Sequence, residues 1–181
     1  LRHITSTVRS IASAPESENS SGDGSPDGQY WWTFLPLRGF YNEAPPTEMS
    51  RTPRVAMSKW KWSWPSFWPD KSDDPVDAGW ANDAVDGIPT RAAWNGYFGK
   101  DQFNADEESY YVGDDSQNKE WKFYPDPLDR SRQGLGLRMY GRGFQWSNAL
   151  VENALFILYD FENYSAHHHD KMVFGFKIGN N

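Results

Sequence analysis

Asn153–Asn163, NALFILYDFEN, alternates with a period of two. Leu155, Ile157, Tyr159 and Phe161 fall on one side, and Asp160 and Glu162 on the other. Successive side chains of a β-strand point to opposite faces, so the pattern marks a strand in a half-buried antiparallel sheet. Two flanking stretches read the same way. Leu135–Trp146, LGLRMYGRGFQW, comes before it. Lys171–Ile178, KMVFGFKI, follows, with Met172, Phe174, Phe176 and Ile178 on one face and Lys171 and Lys177 on the other. Tyr164–Asp170 is then a hairpin loop, and Phe174 and Phe176 are expected in the core. Ser109–Val112 and Trp121–Tyr124 are shorter strand candidates. The expected fold is mainly β: an antiparallel β-sandwich or jelly-roll over residues 96–181, incomplete at its C-terminal end.

Upstream, the pattern changes. Residues 30–95 hold YWWTF and WKWSWPSFWPD together with eight prolines, at positions 36, 45, 46, 53, 65, 69, 75 and 89. Proline removes a backbone donor and blocks the helix interior, so this part reads as a long extended arm anchored by its rings. Residues 1–29 include APESENSSGDGSPDG at 14–28, turn formers and acids with no aliphatic side chain larger than alanine. Such a stretch cannot bury enough surface to offset the entropy of ordering, and it reads as a mobile tail or linker.

Composition narrows the function classes. The chain carries a net charge of −7, which argues against a nucleic-acid partner. It has no cysteine, so disulfides and thiolate metal sites are absent. The longest apolar run, Ala154–Tyr159, is too short for a membrane span. Ten Trp, nine Tyr and eleven Phe residues supply large apolar areas to a chain that is only 38% hydrophobic.

Five blocks occur in a fixed order: WPSFWPDK (64–71), WNGYFGKDQFNADEESYYVGDD (94–115), YPDPLDRSRQGLGLRMYGRGFQWSN (124–148), LFILYDFENYS (155–165) and DKMVFGFKIGN (170–180). In them the chain, from about Tyr30 to Asn181, resembles the N-terminal region of very large secreted proteins of the Bacteroidetes–Ignavibacteria–Rhodothermus type. Many of those proteins carry C-terminal sorting domains for export and surface display. The resemblance implies an extracellular or cell-surface location and a longer parent chain, of which this is a processed or truncated piece; it implies no activity.

Three constellations are candidates for chemistry. Asp101, Asn104, Asp106, Glu108, Asp114, Asp115 and Asn118 form an oxygen-rich stretch of the kind calcium takes, although the spacing is not that of an EF-hand. A solvated acidic surface is the competing reading. His167, His168 and His169 with Asp170 offer nitrogen and oxygen donors for a divalent metal if a loop bends them together. Trp60, Trp62, Trp64 and Trp68 would share one side of an extended chain and contact a ligand or partner, as a sugar platform or as a packed protein contact. Gly134, Gly136, Gly141 and Gly143 read as bulges or as bare backbone under an aromatic ring.

No nucleophile-elbow, zinc-protease or phosphate-loop motif is present. The leading expectation is a non-catalytic module of a secreted bacterial surface or extracellular assembly, touching other protein subunits through its aromatic arm and sheet edges. A carbohydrate-binding module with a Trp platform and calcium is the alternative, with polysaccharide as its partner. Part of a secreted hydrolase comes third.

Overall fold

The computed structural model describes residues 34–43, 55–71, 93–118 and 122–174. These residues are mainly antiparallel β-structure, and their one helical element is a 3-10 turn at Lys61–Ser63. The strands are β1 (Leu35–Pro36), β2 (Ala56–Met57), β3 (Asn95–Gly96), β4 (Gly99–Lys100), β5 (Glu107–Asp114), β6 (Leu137–Gln145) and β7 (Phe156–Asn163). β5, β6 and β7 lie side by side, and the other edge of β5 is shared by two short pieces. There β2 pairs at Ser109–Tyr110 and β1 at Gly113–Asp114. β3 and β4 make a separate two-residue hairpin turning at Tyr97–Phe98.

Alternation along β5 sends Tyr110 to one face of the sheet and Tyr111 to the other. Around Tyr110 gather Phe40, Ala56, Trp64, Trp68, Trp94 and Val112, all buried. Around Tyr111 gather Val55, Met57 and Met139, with Phe34, Trp60, Leu155 and Tyr159 closing over them. The chain before residue 72 therefore supplies rings to both faces of the sheet.

β6 fits against β5 at Gly141 because that position lacks a side chain. A Cβ on Gly141 would stand 2.2 Å from the Tyr111 ring, which lies flat against the bare backbone there. Gly134 and Gly136 differ from the strand reading given to them. They precede β6 with φ of +76° and +74°, a left-handed backbone that glycine adopts without penalty. The turn they make returns the chain to Asp115. That carboxylate accepts the Leu137 amide at 3.0 Å and the Leu135 amide at 2.8 Å.

Several expectations are corrected. Ser109–Val112 is the middle of an eight-residue strand rather than a short one. Lys122–Tyr124 is not strand, and Trp121 lies outside the described residues. Lys171–Phe174 is also not strand: Phe174 leans on Phe161 with ring centroids 4.3 Å apart and stays 55% exposed, so it is not a core residue. Residues 171–174 leave the Tyr164–Asp170 loop without pairing to β7. Phe176 and the rest of that stretch, like the tail at 1–29, lie outside the described residues.

Candidate functional site

The seven oxygen-rich residues fall into two groups at opposite ends of β5. A strand rises about 3.4 Å per residue, so Glu108 and Asp114 are roughly 20 Å apart and cannot share an ion. At the first end, Asp101 Oδ1 accepts the Trp94 amide at 2.8 Å. Asp106 Oδ2 accepts both the amide and the hydroxyl of Ser147 at 2.6 Å, and these bonds hold its carboxyl below the usual range. Glu108 Oε2 accepts the Trp94 indole N–H at 3.0 Å, while Oε1 accepts the amides of Asn104 and Ala105.

At the second end, Asp114 Oδ1 accepts the Ser116 hydroxyl at 2.8 Å, and its other oxygen lies 3.8 Å from Arg132. Asp115 closes the glycine turn, burial raising its carboxyl while the two amides pull it back. The Asn118 amide donates to the Asp115 carbonyl at 2.8 Å. Among the described residues no three acidic or imidazole side chains stand close enough to hold a metal ion.

The histidines also part company. His167 Nε2 contacts the Tyr124 carbonyl at 3.1 Å and His169 Nε2 the Leu135 carbonyl at 2.9 Å, while His168 faces Asp170 at 3.5 Å. Three consecutive rings thus serve three different partners.

The tryptophans do not share one side, because the 3-10 turn breaks the extended run. Trp64 and Trp68 are fully buried, their indole N–H groups donating to the carbonyls of Met57 (2.7 Å) and Ala93 (2.6 Å). Trp60 and Trp62 are half-buried and stack on each other, ring centroids 5.7 Å apart and planes 12° from parallel. Stacking hides one face of each indole.

Trp94 went unremarked in the sequence, yet it lies at the centre of the core. Its ring meets Trp64 at 5.4 Å and Trp68 at 6.2 Å. Beside it runs a polar chain through four segments. The Tyr110 hydroxyl donates to Asp70 at 2.7 Å, and the Asn95 amide donates to the same carboxylate at 3.1 Å. Arg142 donates to the Asn95 carbonyl at 2.6 Å and to its side-chain oxygen at 3.2 Å, with its guanidinium 4.0 Å above the Tyr110 ring. Burial and the Asp70 charge push the Tyr110 hydroxyl far above its ordinary range, and burial draws Arg142 below its own. Together these bonds hold β3 against β5 and β6.

What remains open is aromatic. Phe98, 75% exposed, touches Tyr97 at 5.0 Å, and Tyr97 meets Phe144 at 6.3 Å. Phe144 adjoins Trp146 at 6.2 Å, which meets Phe156 at 5.3 Å. Five rings therefore run from the tip of the β3–β4 hairpin to the first residue of β7. The signal in the sequence was NGYFGK at 95–100, two large rings where a tight turn normally carries polar residues or glycine. The strip leads onto the outer edge of β7, the last strand in the sheet order, where Phe156, Ile157 and Phe161 are exposed. No family model, no curated protein and no solved structure matches the chain.

Proposed function

We propose that the chain is a non-catalytic docking module of a secreted bacterial cell-surface or extracellular assembly, which adds an extended segment of a partner protein to the outer edge of β7. The observation that carries this reading is the edge itself. β7 runs eight residues without proline, lysine or arginine, the devices that usually blunt an edge strand. Among the described residues nothing pairs with its outer edge, and the unpaired backbone groups of such a strand are a ready template for another chain. Exposed Asp160 favours a partner strand with a cation opposite it, and disfavours a second copy of β7. The five-ring strip extends the contact beyond the strand. A sandwich, with a second layer over this sheet, belongs to the same reading.

Backbone hydrogen exchange tests it. Those amides of 156–163 that point away from β6 should exchange fast in the isolated chain and slowly in the native extracellular particle. Phe156→Lys should release the chain from that particle without unfolding it. Equal exchange in both states would sink the proposal.

The ring strip also favours carbohydrate binding as a second reading, since exposed rings stack on the apolar faces of sugars. Loss of retention on insoluble polysaccharide when Tyr97 and Phe98 are changed to Ala would support it, and no retention of the unmodified chain would dismiss it.

A further inference from the structure

At the far side of the sheet from the aromatic strip's hairpin, the loop between β5 and β6 encloses an open cavity of about 300 Å³. It is lined by Lys122, Phe123, Tyr124, Pro127, Arg130 and His167. The volume is at the lower end of the range for small-ligand sites.

Its charge is unusual for this chain. Elsewhere among the described residues five cations are engaged, Lys59 with Glu107, Lys71 with Asp70, Arg132 with Asp114, Arg138 with Glu162 and Arg142 with Asn95, while Arg38, Lys100 and Lys171 are exposed singly on the surface. Lys122 and Arg130 have no carboxylate within ion-pair distance among the described residues, yet both line one cavity of a protein with net charge −7. Two described acids near them in sequence are bonded within their own turns. Asp126 accepts the Leu128 amide at 2.8 Å, and Asp129 accepts the Ser131 amide at 3.0 Å and the Ser131 hydroxyl.

The walls are flat and held in place. His167 packs on Phe123 at 5.0 Å while its Nε2 is tied to the Tyr124 carbonyl, and the Ala166 amide donates to the Pro125 carbonyl at 2.8 Å. Arg130 lies over the Tyr124 ring at 5.7 Å, which leaves the guanidinium edge free for a planar acceptor.

We propose that this cavity binds a small ring-bearing carboxylate, its anion between Lys122 and Arg130 and its ring against Phe123 and Tyr124. The carboxylate can be carried by an aromatic acid or by a uronic acid, which share the anion and a ring face able to stack on an aromatic side chain. This site is independent of the β7 edge, so neither result decides the other.

The test is a nuclear magnetic resonance titration of the full chain with benzoate, glucuronate and inorganic phosphate at matched ionic strength. Saturable shifts of Phe123 and Tyr124 with benzoate or glucuronate are expected, with phosphate weaker, and whichever acid binds more tightly names the source. The double variant Lys122→Ala, Arg130→Ala should bind at least ten-fold more weakly. The control Arg38→Ala, Lys100→Ala removes two exposed cations elsewhere and should bind as the parent does. No saturable shift with either acid, equal affinity in the first double variant, or phosphate binding as tightly as the carboxylates would overturn the proposal.

Discussion

β5 and β7 are both eight residues long, and both pair antiparallel with β6. β5 reads EESYYVGD and β7 reads FILYDFEN, yet every residue of the polar strand is buried while the apolar strand is mostly exposed. Composition alone would have placed them the other way round. Neighbours decide the matter. β5 has chain on both edges and rings over both faces, and distant donors satisfy most of its polar groups. Trp94 serves Glu108, the Gly143 amide donates to the Ser109 hydroxyl at 3.1 Å, and Tyr110 donates to Asp70. Among the described residues β7 has a partner on one edge only. A buried polar strand is tolerable when its groups are hydrogen-bonded, and an apolar strand stays exposed when no neighbour lies over it.

The largest expected effect comes from removing the ring that protects β5. Trp94→Ala should cost about 3–5 kcal/mol in urea unfolding, since it opens a cavity and takes the indole donor from Glu108. Phe156→Ala on β7 should stay within about 0.5 kcal/mol of the parent, as exposed substitutions do. Comparable losses from the two would break the contrast between the strands.

A smaller effect tests how β5 and β6 fit. Gly141→Ala puts a methyl group into the Tyr111 ring and should destabilise by about 1–3 kcal/mol, with Tyr111 displaced. An unchanged midpoint would mean that the ring has room to move.

The smallest effect concerns the one polar group of β5 that is poorly served. Both carboxylate oxygens of Glu107 are buried without a hydrogen bond among the described residues, and Lys59 faces them from 3.8 Å. Burial therefore raises this carboxyl above its ordinary range, Lys59 offsetting part of the rise. A raised acid binds its proton more readily in the folded state. Its contribution to stability is complete below the unfolded value of about 4.3 and is lost as pH rises through the folded one. Glu107→Gln should accordingly match or exceed the parent in stability at neutral pH, and the gain should vanish below about pH 4. A Gln variant less stable at pH 7 would show that the Lys59 pair outweighs desolvation.

The same contrast explains what could be read from the sequence. β6 and β7 were legible because their alternation is local: the expected Leu135–Trp146 and Asn153–Asn163 differ from the observed strands by one to three residues at an end. The length of β5 was hidden because Glu107, Glu108 and Asp114 look like solvated acids, and their partners lie in segments remote along the chain. Asp106 meets Ser147, and Asp115 meets Leu135 and Leu137. No window of neighbouring residues contains those bonds. The tryptophan run misled for a related reason. Its spacing suited an extended chain, but the Ser63 hydroxyl, donating to the Trp60 carbonyl and accepting the Met57 amide, coils it into a turn.

The Asp115 carboxylate has a further consequence for how this molecule can change. It fastens the point where the chain leaves β5 to the point where it comes back, and the Gln133 amide adds a bond to the Ser116 carbonyl at 3.1 Å. A Cβ on Gly134 would fall 2.1 Å from the Asp115 carbonyl oxygen, so the two strands of this neck admit nothing between them. The described residues between Ser116 and Gln133 thus stand beyond one closed neck. Doubling such a loop adds only about 0.6 kcal/mol of closure entropy, and the sheet would not register the change. The exposed part of this loop around Leu128 can change its length or residues while the Asp115 neck keeps β5 and β6 in register, whereas Tyr124 and Pro125 stay tied to the loop after β7 through His167 and Ala166.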